Sequence, residues 1–439
     1  MRIAMIGAGY VGLVSGACFS EFGHSVTCVE RNALIVERLQ RGETSIFEPG
    51  LDRLVERNLA AGRLRFTSEL APALRDAEVV MIAVGTPSRR GDGAADLSYV
   101  YASVREVAVA LGREALLVTK STVPVGTCRE VERIVHEARP ELRLEVASNP
   151  EFLREGSALE DLMRPDRVVC GVRSERAREL LSQLYRPLNL NETPILFTSP
   201  ETAELIKYAS NCFLATKITF INELADYCEA VGADVQAVAR GMGMDRRIGP
   251  KFLHAGPGFG GSCFPKDARA LASAAHEQGR SLRIVEAVIE VNEARKRRMA
   301  DKIADAVGGD LRGRTLAVLG FTFKPNTDDV REAPSLAIVP RLQQRGATIR
   351  GYDPKGMAAA AELLPGVIWC DDAWAAMRGA DALVILTEWN EFRALALERV
   401  RETLARPVVV DLRNIYRPEQ MTAAGLAYTS VGRQPVAPG

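Results

Sequence analysis

The sequence predicts an α/β protein in which two doubly wound parallel-sheet domains are joined by an all-helical central domain with a long connecting helix. Three observations predict this. Short apolar strands alternate with amphipathic helical segments from residue 1 to about 198. Helical periodicity without any strand signal fills 200 to about 306, and the strand–helix alternation returns near Arg314. At 439 residues, the chain is long enough for two or three full cores.

The first domain, expected over 1–199, has strands near 2–6, 25–30, 64–67, 78–84, 115–120, 143–147, 167–171 and 194–198. The middle, 200–308, opens with a long helix over Glu201–Tyr227. Helices near 233–241, 265–277 and 282–306 follow, around a Gly/Pro-rich stretch at 245–263. The basic run Arg295-Lys296-Arg297-Arg298 reads as the solvated face of the last of these helices. In the third domain, 309–432, the strands Thr315–Gly320, Thr348–Asp353 and Ala380–Thr387 repeat the early pattern without a glycine fingerprint. The tail, 433–439, with two prolines and no periodicity, is expected to be disordered.

Composition excludes several function classes. The 56 basic and 56 acidic residues cancel, which argues against nucleic acid or an anionic membrane as partner. There is no run of 18 apolar residues and the first strand starts without a leader, so no membrane span is expected and the cytoplasm is. Eight cysteines are scattered without C-x-x-C or histidine at ligand spacing, an arrangement that predicts neither a metal site nor a disulfide framework.

Five segments carry chemistry. Gly7-Ala8-Gly9-Tyr10-Val11-Gly12 lies between a strand and a helix, and the next strand ends on Glu30. In that context the glycines serve a tight turn, close approach to a pyrophosphate, and helix–strand packing, which makes the domain Rossmann-like. Glu30 would accept from ribose hydroxyls and repel a 2′-phosphate, favouring NAD over NADP; the bland alternative is a tight turn without ligand. Thr86 and Thr122 sit in loops beyond strand ends, where such sheets bind ligands or where hydroxyls simply cap helices. Asn149-Pro150-Glu151-Phe152-Leu153-Arg154-Glu155-Gly156 offers two carboxylates and an arginine that either orient substrate or are merely solvated. Lys207 and Asn211 share one helix face, where the lysine could hold an oxyanion, move a proton, or snorkel at the core rim. Cys263 lies in Gly256-Pro257-Gly258-Phe259-Gly260-Gly261-Ser262-Cys263-Phe264-Pro265-Lys266-Asp267, just before a helix whose positive end, with Lys266, would stabilise thiolate. The other seven cysteines read as inert small hydrophobes. A thiol beside a dinucleotide site suggests two oxidations, with an aldehyde held covalently between them.

Together these runs resemble the UDP-glucose/GDP-mannose 6-dehydrogenase family across about 1 to 430. The matching runs are GAGYVG at 7–12, STVPVGT at 121–127, NPEFLREG at 149–156, ELIKYASNCFLA at 204–215, RIGPKFLHAGPGFGGSCFPKD at 247–267 and GFTFKPNTDDVREAPS at 320–335. The resemblance implies an NAD-dependent four-electron oxidation, with UDP-glucose as substrate and GDP-mannose or a UDP-N-acetylhexosamine as the alternative. By it Cys263 is the nucleophile, Lys207 the proton-transfer and oxyanion residue with Asn211, and Glu151 the hydrolytic base. Asp267 and Thr122 handle water. It further implies cofactor contacts from Gly7, Gly9, Tyr10, Val11, Gly12, Glu30, Thr86, Thr122, Glu155, Lys266 and Arg331. Substrate contacts would come from Glu151 through Glu155, Lys207, Asn211, Phe252, Gly260, Cys263, Phe323, Lys324 and Arg413. Arg247 matches an arginine that enters a neighbouring subunit's site, which implies a homodimer through the central helices. A rival from another class, an NAD-binding regulator with an oxidisable thiol, leaves Lys207, Asn211 and the second α/β domain without a role.

Overall fold

In the computed structural model, all residues except 90, 143 and 439 are described; the first residue of the strand read at 143–147 and the last of the tail thus lie outside the described residues. Fourteen strands form two sheets among the described residues. The first comprises β1 (Arg2–Ile6), β2 (Ser25–Val29), β3 (Leu64–Thr67), β4 (Val79–Ile82), β5 (Leu116–Thr119), β6 (Glu145–Ser148), β7 (Val168–Gly171) and β8 (Ile195–Thr198). Its order is β3-β2-β1-β4-β5-β6-β7-β8, with the doubly wound reversal beside β1. The pairings are parallel except β6 with β7, which run antiparallel and meet at Ser148 and Gly171. That departs from the all-parallel expectation: a short antiparallel contact adds the outer β7–β8 pair to the sheet.

Alternation in β1 shows why the layer is buried on both faces. Ile3 and Met5 enter one apolar cluster with the helix Tyr10–Glu21, while Ala4 and Ile6 enter another with the helices Ser98–Ala110 and Thr127–Ala138. The same logic builds the second sheet, from β9 (Thr315–Leu319), β10 (Thr348–Tyr352), β11 (Ile368–Trp369), β12 (Ala382–Ile385), β13 (Val408–Asp411) and β14 (Ala427–Ser430). Its order, β11-β10-β9-β12-β13-β14, repeats the reversal, and Leu316 and Val318 face one cluster while Ala317 and Leu319 face the other.

The chain divides into two compact units, Met1–Ser210 with Ser273–Gly279, and Asn211–Ala272 with Arg280–Gly439. Where the sequence suggests a division at 308–309, one apolar core continues: Ile221, Cys228, Leu253, Met299 and Ile303 pack in the same cluster as Leu316, Val318 and Val384. The middle helices are Pro200–Val231, Val235–Gly243, Phe264–Glu277 and Arg283–Val307.

Two expectations need correction. Arg295 and Lys296 do not face solvent; they are 1% and 2% exposed. The described tail, 433–438, is ordered rather than disordered. Tyr428 and Val436 exchange backbone hydrogen bonds of 2.9 Å, and Arg433 donates to Ser430 Oγ at 3.1 Å. As the edge strand, β14 offers unpaired backbone groups, and the tail satisfies them.

Candidate functional site

In the first unit the glycine turn after β1 is built for close approach. Gly7 has φ +100°, and a Cβ there would lie 2.7 Å from Ala83 O. At Gly12 a Cβ would lie 1.9 Å from Gly7 O, so the helix Tyr10–Glu21 can pack only on glycine. By contrast, a Cβ on Gly9 meets nothing within 4 Å. Open space therefore faces the start of the helix, where Gly9 is the N-cap and has no side chain to take the first N–H groups. Glu30 accepts from Ala8 N at 3.3 Å and Asn32 N at 3.1 Å, which fixes its carboxylate at the end of β2 beside the turn. These features fit a dinucleotide: a turn without bulk, free N–H donors, and an acid for the ribose.

Glu48, which no sequence motif marks, ties this cradle to the 149–156 loop. It bonds the Tyr10 hydroxyl and accepts from Gly156 N at 2.6 Å and Ala158 N at 2.8 Å. Glu155 lies close enough to Tyr10 to act on it electrostatically; burial, first, and the two carboxylates hold that phenol well above its ordinary pKa. Thr86 donates to Thr122 O at 3.0 Å, bringing the two predicted hydroxyl loops together. Glu204, on the long helix, accepts from Gly126 N and Cys128 N at 2.7 and 2.8 Å and so fixes the Thr122 loop.

Glu151 and Lys207 form a buried ion pair of 3.0 Å, with the residues 7% and 3% exposed. Burial pushes the Glu151 carboxyl up, but the Lys207 ammonium, the Leu153 N–H and Lys120 together bring it below its ordinary value. Leu153 N donates to Glu151 at 2.5 Å, and Lys207 Nζ lies 5.2 Å from the centre of the Phe152 ring. On the other side of the loop the Arg154 guanidinium pairs with Asp161 at 2.5 Å while staying more than half exposed. Sequence reasoning missed Lys120. It is buried at the end of β5, donating to Asn149 Oδ1 at 3.1 Å and Tyr185 OH at 3.4 Å, and burial lowers its pKa to about 8. A charged residue directly after an apolar strand was the available signal.

In the second unit, the glycine-rich loop leads to Cys263, which is part-exposed and directly precedes the helix Phe264–Glu277. Six other cysteines are buried; burial pushes Cys18, Cys28, Cys170 and Cys212 up to about 12. Asp267, one turn into that helix, accepts from Asn211 Nδ2 at 2.6 Å and Lys266 Nζ at 2.5 Å. Lys266 is thus engaged by Asp267, where the sequence suggested a charge for the thiol. A Cβ on Gly260 would lie 2.3 Å from Glu332 O, and one on Gly261 would strike the Phe323 ring at 2.8 Å. Phe252, at φ +65°, places its ring 6.1 Å from that of Phe264.

Arg413 follows β13 and donates to Leu386 O at 2.7 Å and Phe323 O at 2.8 Å; its loop is held by the buried Asp411, which accepts from the N–H of Arg413, Ile415 and Tyr416. Lys324 Nζ stands 5.2 Å from the centre of the Phe323 ring. Arg331 pairs with Asp329 at 2.8 Å, and its carbonyl accepts from Gly261 N. Arg247 pairs with Asp245 while remaining highly exposed. Where the first sheet offers Glu30, this one has Asp353, already engaged by the N–H groups of Phe321, Thr322, Lys355 and Gly356.

Residues 1–189 match the NAD binding domain of the UDP-glucose/GDP-mannose dehydrogenase family, 201–294 its central domain, and 317–418 its UDP binding domain. The chain belongs to the UDP-glucose/GDP-mannose dehydrogenase family. Within that family, a UDP-glucose 6-dehydrogenase of Rhizobium meliloti is 58% identical, over 99% of this chain and 100% of the relative. One from Pseudomonas aeruginosa is 47% identical, over 99% and 98%. A solved UDP-glucose dehydrogenase from Pyrobaculum islandicum matches with a TM-score of 0.88 at 42% identity, covering 94% of each chain. The family assignment makes the chain an NAD-dependent oxidoreductase, in agreement with the Gly7–Glu30 cradle.

Proposed function

We propose that this chain oxidises UDP-glucose to UDP-glucuronate: one sugar nucleotide, two NAD⁺ and one water give the uronate, two NADH and three protons. The observation that carries the reading is Cys263, a part-exposed thiol at a helix start within a glycine-rich loop, in a chain that also holds a dinucleotide cradle. The chain's similarity to UDP-glucose 6-dehydrogenases supports UDP-glucose over GDP-mannose or a UDP-N-acetylhexosamine.

Bound at Gly7, Gly9, Gly12 and Glu30, NAD supplies the hydride acceptor for each oxidation. Lys207 and Asn211 stand one turn apart on one helix, and the proposal gives them the oxygen on C6. In the first oxidation the alcohol proton leaves towards water, while Lys207, held as the ammonium beside Glu151, stabilises the oxyanions with Asn211, a contribution of about 3 kcal/mol in comparable sites. Cys263 Sγ adds to the aldehyde carbon, giving a thiohemiacetal, and the second oxidation converts this to a thioester. Water, deprotonated by Glu151 or Asp267, breaks the C–S bond and returns the thiol. Thr122 orients that water. The sugar nucleotide itself is assigned to Phe152, Leu153, Phe252, Gly260, Phe323, Lys324 and Arg413, with Arg331 near the cofactor.

The dimer is part of the same reading. Phe213, Phe220 and Tyr227, spaced by seven on the long helix, are 66%, 48% and 64% exposed, a stripe suited to a second copy of the helix. Exposed Arg247 suits a residue that reaches across. Eight free cysteines suit the reducing cytoplasm. The test is a panel of sugar nucleotides with NAD⁺ and Cys263→Ser alongside. Uronate from UDP-glucose in the parent and none in the variant is expected. Turnover confined to another nucleotide sugar, or undiminished in the variant, would overturn the reading.

A further inference from the structure

The loop carrying Cys263 is buried yet belongs to no helix or strand from Ala255 to Gly260, so its backbone groups need partners from elsewhere. Side chains of two helices supply them. Gly256 N donates to Asn222 Oδ1 at 2.8 Å, and Gly256 O accepts from Arg295 Nε at 2.6 Å. Phe259 N donates to Asn292 Oδ1 at 2.8 Å, and Phe259 O accepts from Asn292 Nδ2 at 3.1 Å. The Asn292 amide thus makes the two-bond pairing that a neighbouring strand would make. Arg295 is held in turn by Asn222 O and Asp226, each at 2.8 Å. Gly258, at φ +113°, lies against this lattice, since a Cβ there would stand 3.0 Å from Asn292 Oδ1 and 3.2 Å from Lys296 Cγ.

We infer that Asn222, Asn292 and Arg295 are positioning residues that set where the Cys263 sulfur stands by replacing the missing sheet partner of its loop. This rests on Cys263 being the nucleophile. Alternative uses of these residues fit less well. An anion site is disfavoured because Arg295 Nε and Nη1 are already directed to two carbonyls and a carboxylate, which leaves a single buried nitrogen, Nη2, for any ligand. A purely structural salt bridge would leave Asn292 unexplained.

The test uses Asn292→Leu, similar in shape but without the amide, and Arg295→Met with Arg295→Lys as the conservative partner. Iodoacetamide labelling of the full-length protein, mapped cysteine by cysteine, is read beside kcat and KM. Loss of a buried hydrogen bond is expected to speed labelling of Cys263 by about fivefold or more. Buried Cys128, Cys170 and Cys212 should stay unlabelled. The kcat should fall by about tenfold to a hundredfold, with KM for NAD⁺ within about twofold. Arg295→Lys, which keeps a donor and a charge facing Asp226, should recover part of both effects. Parent-like labelling and kcat in both Asn292→Leu and Arg295→Met would overturn the inference. Labelling spread to the buried cysteines in every variant would also overturn it, since that marks a role in the whole fold. A parent that forms no NADH from any sugar nucleotide refutes the proposed function, while the labelling pattern still judges the positioning.

Discussion

Replacing Lys207 with methionine removes one half of a buried ion pair and keeps nearly the same volume. At 3.0 Å and an effective dielectric of about 20, the attraction is of order 5 kcal/mol, much of it offset by desolvating both groups. Removing only the lysine leaves a buried carboxylate uncompensated, a change that costs about 3–5 kcal/mol. Lys120 still acts on Glu151, which argues for about 3 kcal/mol, or roughly 6–12 °C in the melting of a unit of this size. The pH dependence should also reverse. In the parent, the Glu151 pKa lies below its ordinary 4.5, so its contribution is present above that pH and lost as pH falls through the lower folded value. In Lys207→Met burial prevails and the folded pKa rises. The contribution is then intact below the ordinary value and lost as pH rises through the new one. Thermal melts from mildly acidic to neutral pH read both effects, and Lys207→Met/Glu151→Gln should recover part of the loss. A single variant that melts with the parent, with the same pH slope, would refute the pairing argument.

Other predictions follow from the same geometry. Gly9→Ala should melt with the parent, since its Cβ meets nothing, yet lose about tenfold or more in NAD⁺ affinity by fluorescence titration; unchanged affinity would reduce the glycine run to a tight turn. Gly12→Ala should instead lose about 1–3 kcal/mol or more of stability, read by the same melts, because its Cβ would lie 1.9 Å from Gly7 O. Lys120 binds its proton less tightly folded, at about 8, than its ordinary 10.5. Its penalty is therefore full below 8 and relieved as pH rises to 10.5, by an amount of order 3 kcal/mol. Lys120→Met should lose that alkaline gain in denaturant melts, and a retained gain would contradict the assignment. Phe220→Glu should dissociate the proposed dimer in sedimentation measurements; a parent that sediments as a monomer would remove the dimer altogether.

Much of the architecture is legible in the sequence because it rests on short, β-branched apolar runs such as Val79–Ile82 and Ala382–Ile385, too short for a helix, and every expected strand of the first sheet has a counterpart. Glu151, Lys207, Asn211 and Asp267 were legible as residue types, and the structure pairs Glu151 with Lys207 and Asn211 with Asp267. What stayed hidden depends on irregular backbone. Arg295 and Asn292 sit on a helix whose charges read as solvated, because the loop groups they hold are backbone atoms and carry no sequence code. Glu48 escaped for the same reason, its partners being the backbone N–H of Gly156 and Ala158.

The most direct measurement is the number of NADH formed for each UDP-glucose consumed, taken with the mass of Cys263-containing peptide after acid quench. Two NADH per sugar and a transient uronoyl adduct on that peptide are expected. One NADH per sugar with free aldehyde released, and no adduct, would contradict the thiol's role.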